Sequence, residues 1–186
     1  MKKTILTSVV ILLSILDITY GQTLLTYTDV VKVDSVSKVE LYNRAKLWFA
    51  TSYNNSKAVL QLENMNEGEL IGKAIIPYNP TMLNASARTI GNINYTIKIY
   101  VKDGRYKYEI TDFTHEPTGK SKNGGLSFGI ITNDDTSPIR HKGQFKKWNN
   151  KVWIDIKNQI NDSTKPLIED LKTKMVQKSE IQNDDW

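Results

Sequence analysis

The most regular pattern in the chain begins at Ile93, where Ile93, Tyr95, Ile97, Ile99 and Val101 alternate with Asn94, Thr96, Lys98, Tyr100 and Lys102. A period of two is that of a strand with one buried face. Asp103-Gly104 then turns the chain, because Asp-Gly suits a two-residue hairpin loop whose central residues both take positive φ. Residues 105–115 resume the alternation on the way back. In that register Val101 faces Tyr106, Ile99 faces Tyr108 and Ile97 faces Ile110, which makes one side continuously apolar. The other side pairs Lys98 with Glu109, Thr96 with Thr111, Tyr100 with Lys107 and Asn94 with Phe113, and is expected to be wet. A slip of one residue would move every isoleucine into water, so the pattern determines the register. The same register carries Asp112 to the apolar side opposite Tyr95. The favoured reading is that the strand end emerges from cover there; a buried Asp112 would need a partner, for which the Tyr95 hydroxyl is the candidate.

Residues 24–33 are rich in β-branched and aromatic side chains and read as a strand. Ser37 and Glu40 have the spacing of a capping box, and Val36 with Leu41 that of a hydrophobic staple, so a helix should begin near Lys38. Leu41, Ala45, Trp48, Phe49 and Ser52 then share one stripe that reads as core. Residues 58–62 and 70–76 are strand-like runs joined by a short loop, hence an antiparallel hairpin, ended by Pro77 and Pro80. Over residues 116–143 the pattern dissolves into Gly, Ser, Asn, Lys and Pro around one short apolar run at 126–131, and so long a connection is usually functional or mobile. Trp148, Val152, Ile156 and Ile160 step by four and open a long amphipathic helix, continued by Leu167, Ile168, Leu171 and Met175. Pro166 lacks an N–H and collides with the carbonyl of Asp162, which predicts a kink or a restart near Ser163. Residues 179–186 read as a frayed tail.

The order strand, helix, four strands, helix, with one apolar sheet face and two amphipathic helices to cover it, is an α+β two-layer domain. Three stretches extend this reading: Glu40-Leu41-Tyr42-Asn43-Arg44-Ala45-Lys46-Leu47-Trp48-Phe49, Gly68-Glu69-Leu70-Ile71-Gly72-Lys73 and Val101-Lys102-Asp103-Gly104-Arg105-Tyr106-Lys107-Tyr108. Over about residues 30–115 the chain resembles secreted bacterial proteins that carry a domain of unknown function with a TBP-like fold. The resemblance implies a β-α-β4-α arrangement, shared with helix-grip carriers that hold apolar ligands under their last helix. It implies no activity, since a shared fold leaves function open.

Residues 1–21 read as an export leader. Lys2 and Lys3 precede an apolar run over residues 5–16, and Thr19-Tyr20-Gly21 is a small-x-small site that places cleavage between Gly21 and Gln22. The apolar run is shorter than the roughly 18 residues a membrane span needs. The expected product is therefore a soluble periplasmic or secreted protein comprising a domain over residues 22–178. Among 186 residues there is no cysteine, and 39% are hydrophobic and 24% charged. That composition excludes a disulfide scaffold, a zinc-thiolate site and a disordered chain. The formal net charge of +5 falls by one when the leader with Lys2, Lys3 and Asp17 is removed, too mild a bias for a dedicated nucleic-acid binder.

Gly125-Leu126-Ser127-Phe128-Gly129 fits the Gly-x-Ser-x-Gly nucleophile motif, with Asp134, Asp135 and His141 following in the order acid, then base. The motif requires a strand before the serine and a helix after it, and neither flank shows that pattern. His115-Glu116 begins like a zincin motif, but Gly119 stands where the second histidine is needed, and no metal or cofactor is expected. Lys98, Lys102, Arg105 and Lys107 share the wet sheet face with Tyr100 and Phe113, a pattern that can bind single strands; Glu109 in the same patch and the export leader argue against nucleic acid.

The reading these features favour is an exported, non-enzymatic binding or interaction domain. It would dock on another envelope or extracellular component through the exposed sheet face or the 116–143 connection. The second reading is a carrier of a small apolar ligand in a cavity lined by Ile97, Ile99, Tyr108, Ile110, Val152 and Ile156, with Tyr95 and Asp112 at its polar end. The third is a serine hydrolase built from Ser127, Asp135 and His141.

Overall fold

The computed structural model describes residues 23–53, 55, 59–119, 124–140 and 142–177. The expected leader with its Gly21/Gln22 cleavage position, His141 and the 179–186 tail lie outside the described residues. The elements are β1 (Tyr27–Lys32), α1 (Lys38–Ser52), β2 (Leu60–Asn64), β3 (Glu69–Tyr78), a 3-10 turn (Ala87–Thr89), β4 (Gly91–Lys102), β5 (Arg105–Pro117), β6 (Gly129–Ile130) and α2 (Gly143–Val176). They form one antiparallel sheet in the order β1-β5-β4-β3-β2. The short β6 pairs with Thr114 and His115, past the end of β1. Both helices cover the face that carries the isoleucine row. Ile93, Ile97, Ile99 and Ile110 are fully buried there, together with Leu41, Trp48 and Phe49 from α1 and Val152, Ile156 and Ile160 from α2.

The hairpin register is the expected one from Lys102↔Arg105 to Thr96↔Thr111. At its tip only Gly104 takes positive φ, at 71°. Asp103 does not, and its carboxylate reaches the first helix: Oδ1 accepts the Lys38 N–H at 2.7 Å and so satisfies an orphan donor at the start of α1. Gly104 donates its own N–H to Val36 O at 2.8 Å and accepts the Val33 N–H at 2.9 Å. Ser37 completes the cap by accepting the Glu40 N–H at 3.2 Å. The tip of the hairpin is thereby fastened to the turn that starts the first helix.

Two prolines act differently from expectation. β3 runs through Pro77 to Tyr78 instead of ending before it. β2 pairs only with Glu69–Gly72 of β3; beyond that point β3 is an edge, where a residue without an N–H is tolerated. Likewise α2 continues past Pro166 without a restart. A mid-helix proline costs about 3 kcal/mol. Ile160, Thr164, Ile168, Leu171 and Met175 are buried on both sides of it while Pro166 itself is exposed, and each large aliphatic side chain contributes about 1.5–3 kcal/mol on burial. The far end of α2 is also held: buried Arg44 donates from Nη1 to Met175 O at 2.8 Å and Val176 O at 3.2 Å, capping carbonyls that the helix leaves unpaired. Trp48 Nε1 and Ser52 Oγ both donate to Asp170 Oδ2 at 2.9 Å.

The expected register fails at one point. Thr96 pairs with Thr111 but Asn94 pairs with Thr114, so Asp112 and Phe113 together oppose Tyr95. Asp112 has φ 58°, the left-handed conformation that Asp and Asn adopt more readily than other side chains. This is a β-bulge, an extra residue that changes which side chains face inward. Up to Ile110 the even-numbered residues of β5 face the helices; beyond the bulge Phe113 and His115 do, both fully buried. Asp112 is exposed rather than on the apolar face, and the predicted Asn94–Phe113 pair is not made. The Tyr95 hydroxyl lies 3.4 Å from that of Tyr53, not on Asp112, and its ring stacks on Phe113 at a centroid distance of 5.5 Å.

Asp112→Gly is expected to leave stability unchanged or raise it by up to about 1 kcal/mol, because glycine takes positive φ without strain. Deleting Asp112 should instead cost several kcal/mol out of the roughly 5–15 available, by turning Phe113 and His115 toward water. Urea denaturation of both variants measures the contrast, and equal midpoints would contradict this account of the bulge.

Candidate functional site

Ser127 sits where the chain enters β6, not on a strand-to-helix turn. Its hydroxyl donates to His115 O at 2.8 Å and accepts the Gly129 N–H at 3.0 Å. Asp134 accepts from Thr132 Oγ1 at 3.1 Å and Asp135 is exposed; His141 lies outside the described residues. The setting the nucleophile motif needs is not formed. The histidine near Ser127 is His115, which pairs with Ile93 and is fully buried. Its Nδ1 accepts the Phe128 N–H at 3.2 Å, which leaves the proton on Nε2, 2.9 Å from Thr89 O. Burial pushes its pKa below the ordinary value. Its neighbour Glu116 accepts from Asn94 Nδ2 at 3.0 Å. Among the described residues, no three His, Asp or Glu side chains gather as a metal-binding group.

The residues of the expected internal cavity are brought together, but as packing. Ile97, Ile99, Ile110, Val152 and Ile156 are fully buried and Tyr95 and Tyr108 nearly so, their side chains filling the layer between sheet and helices. Asp112, although opposite Tyr95 in the sheet, is exposed and does not form part of that layer. On the opposite sheet face, Glu109 binds Lys98 at 3.0 Å and Lys107 at 3.3 Å. Phe113 has left that face through the bulge. The interleaved cations and aromatics expected there are thus reduced to Tyr100 with Lys102 and Arg105 unshared by Glu109.

A cleft that sequence reasoning missed opens where the 116–143 connection meets the start of α2. It has a volume of about 590 Å³ and is lined by Ser86, Arg88, Leu126, Gln144, Phe145, Trp148 and Asn149. The helix supplies one wall: Phe145 and Asn149, like Gln144 and Trp148, are one turn apart and share a face. The 3-10 turn supplies the second wall. Ser86 caps that turn by accepting the Arg88 N–H at 3.3 Å, and Arg88 O accepts the Leu126 N–H at 2.7 Å, which fixes the third wall. Trp148 spends its indole N–H on Asn84 O at 3.0 Å, so the ring is held as a wall. Phe145 remains 71% exposed, although a large apolar side chain gains about 1.5–3 kcal/mol from cover. Asn149 is only 2% exposed, and its Nδ2 has no hydrogen-bond partner. The stepwise pattern from Trp148 onward marked the helix, but Phe145 precedes it and the partner residues lie far away in sequence.

The domain of unknown function (DUF4468) with TBP-like fold matches residues 27–116 of this chain. Two solved structures are similar. A TBP-like protein from Parabacteroides distasonis is 19% identical with a TM-score of 0.50, over 80% of this chain and 93% of that one. A DUF4468 family protein from Bacteroides ovatus is 12% identical with a TM-score of 0.52, over 83% of this chain and 88% of that one. At these identities the likeness speaks for the fold alone. No curated protein matches.

The buried imidazole makes stability depend on pH. With the folded-state pKa of His115 below the ordinary 6.5, the unfolded chain takes up a proton first on acidification. The stability is full above the unfolded-state pKa and is lost as pH falls toward the lowered folded value. His115→Gln can still accept from Phe128 and donate to Thr89 without titrating. Its unfolding free energy should therefore fall less steeply than the wild type's between about pH 7 and 5; parallel slopes in urea titrations would contradict this.

Proposed function

Since residues 27–116 of this chain belong to the DUF4468 domains of unknown function with a TBP-like fold, which bring no inherited chemistry, we propose that the protein is a non-catalytic binding module working outside the cytoplasm. Export is supported by the leader-like sequence of residues 1–21 with its Gly21/Gln22 site. In keeping with this, no helix among the described residues is long and apolar enough to cross a membrane. The partner is a component of the envelope or the exterior, and binding takes place at the cleft between the 116–143 connection and α2. One observation carries the reading: a hollow of about 590 Å³, walled by Leu126, Phe145 and the fixed ring of Trp148, opens beside the start of α2, and hollows of this kind are where proteins bind apolar groups. An apolar-ligand reading moves to this surface cleft, because Ile97, Ile99, Tyr108 and Ile110 already fill the interior. A hydrolytic role for Ser127 finds little support, since its hydroxyl is spent on the backbone at 2.8 and 3.0 Å.

The neutral fluorophore N-phenyl-1-naphthylamine should bind the purified protein saturably. Phe145→Ala should weaken that binding roughly tenfold, the loss of about 1.4 kcal/mol expected when one aromatic wall goes. Absence of saturable binding would remove the cleft from the account. A serine-reactive fluorophosphonate should fail to label the protein; labelling abolished by Ser127→Ala would establish the hydrolase instead.

A further inference from the structure

We propose that the open face of the sheet holds a second site, at its hairpin-tip end, for a small phosphate monoester: Lys32, Arg105 and Lys102 take the dianion, and Tyr100 with Val30 supports the group that carries it. The site lies on the side of the sheet away from the helices and stands apart from the cleft. Its basis is the pairing register. Lys32 of β1 faces Arg105 of β5, and Arg105 faces Lys102 of β4, so three cations stand side by side on strands about 4.8 Å apart. All three are exposed, and among the described residues no carboxylate lies within ion-pair distance of any of them. Like charges directly opposite each other destabilise a sheet, and natural sequences break local rules of this kind chiefly at functional sites. The acids close by are engaged elsewhere: Asp103 accepts the Lys38 N–H and Asp29 the Val30 N–H, both at 2.7 Å, while Glu109 binds Lys98 and Lys107.

The surroundings say what kind of anion fits. A pocket of about 480 Å³ opens beside the row, and Val30, Tyr100, Lys102, Arg105 and Lys107 are among its walls, a size that suits a small molecule. One row further along the strands, Val30 faces Lys107 and Lys107 faces Tyr100. Lys107 Nζ stands 6.0 Å from the Tyr100 ring centroid and 3.3 Å from Glu109 Oε2, so it is held as a wall, and Val30 is 56% exposed. The row after that carries Glu109 between Thr28 and Lys98. The cationic surface is thereby closed off after two rows, which suits one phosphate group and not the repeating charge of a nucleic-acid strand. A phosphate monoester brings between one and a half and two negative charges, roughly, and three strong acceptor oxygens at neutral pH. Three cations on three strands match that demand, and the Arg105 guanidinium can bind two of the oxygens at once. A carboxylate or a sulfonate brings one charge and leaves more of the repulsion standing.

The test titrates 1-naphthyl phosphate and 1-naphthalenesulfonate, which share a ring and differ in charge, into the purified protein at about pH 7.5 in a calorimeter. The phosphate should bind about tenfold more tightly than the sulfonate in low salt, and its advantage should shrink in roughly 0.5 M salt. Arg105→Gln should weaken the phosphate about five- to tenfold. Lys102→Glu should weaken it at least about tenfold and at the same time raise the melting temperature, because the charge opposite Arg105 becomes attractive; damage to the hairpin would lower both. Phe145→Ala, which removes a wall of the cleft, should leave the phosphate titration unchanged. Phosphatidylcholine vesicles carrying phosphatidate should retain no more protein than plain ones, since the ester enters a pocket between side chains. Equal binding of phosphate and sulfonate, binding of neither, binding that survives Lys102→Glu, or a Lys102→Glu protein that melts lower would overturn the proposal. So would a titration abolished by Phe145→Ala, which would assign the ester to the cleft, or retention on phosphatidate vesicles, which would make the row a membrane contact.

Discussion

One inserted residue in β5 governs the architecture around the cleft. Without Asp112 at φ 58°, strict alternation would send Phe113 and His115 to the wet side of the sheet. With it, Phe113 stacks on Tyr95 at 5.5 Å and His115 enters the core. From there the imidazole reaches two chain segments at once, Thr89 of the 3-10 turn through Nε2 and Phe128 of the long connection through Nδ1. Those segments carry Arg88 and Leu126, two walls of the cleft, and they are tied directly by the Leu126 N–H to Arg88 O bond of 2.7 Å. The bulge thus acts at a distance: it orients one side chain, and that side chain gathers the backbone that shapes the surface.

The remaining wall depends on how α2 is anchored. Its C-terminal carbonyls rest on buried Arg44, and Asp170 receives Trp48 and Ser52. Its middle is fastened to the end of β3 by Asp155, which accepts the Tyr78 hydroxyl at 2.8 Å and the Thr81 N–H at 3.1 Å and also binds the Thr81 hydroxyl. Near its start, Trp153 Nε1 donates to Asp134 O at 2.8 Å and Trp148 to Asn84 O at 3.0 Å. A helix held at the end, middle and first turns presents Phe145 and Asn149 in a defined position. The cost of Pro166 is absorbed because the core grips both halves.

The expected 116–143 connection is therefore less open than its composition suggests. Leu25 donates its N–H to Ile131 O at 3.1 Å, and Ile131 donates to Phe113 O at 2.8 Å. Phe128 and Ile131 are buried, so the short apolar run at 126–131 serves as a flap packed on the end of the sheet. Ser127, the residue that motif reasoning singles out, has a local task there, holding the turn into β6 between His115 O and the Gly129 N–H. A pattern match in sequence and a structural staple in space are the same five residues.

What the sequence determined by itself is whatever local periodicity and nearest-neighbour chemistry decide. The Ile93 row, the partners on either side of Asp103-Gly104 as far as Thr111, the Ser37 cap and the two core stripes follow from the free energy of keeping apolar groups out of water in elements of known period. The match to residues 27–116 agrees with that reading. Tertiary structure alone decided the bulge, the unbroken course of α2, the strand through Pro77 and the cleft. Each of these is a compromise between a local preference and a distant partner: Asp112 accepts a left-handed backbone so that Phe113 and His115 can be buried, and the lining residues Ser86, Leu126 and Asn149 meet only because chain segments far apart in sequence are held by common hydrogen bonds. No periodicity within one segment carries that information, because the energy that selects it is shared between segments.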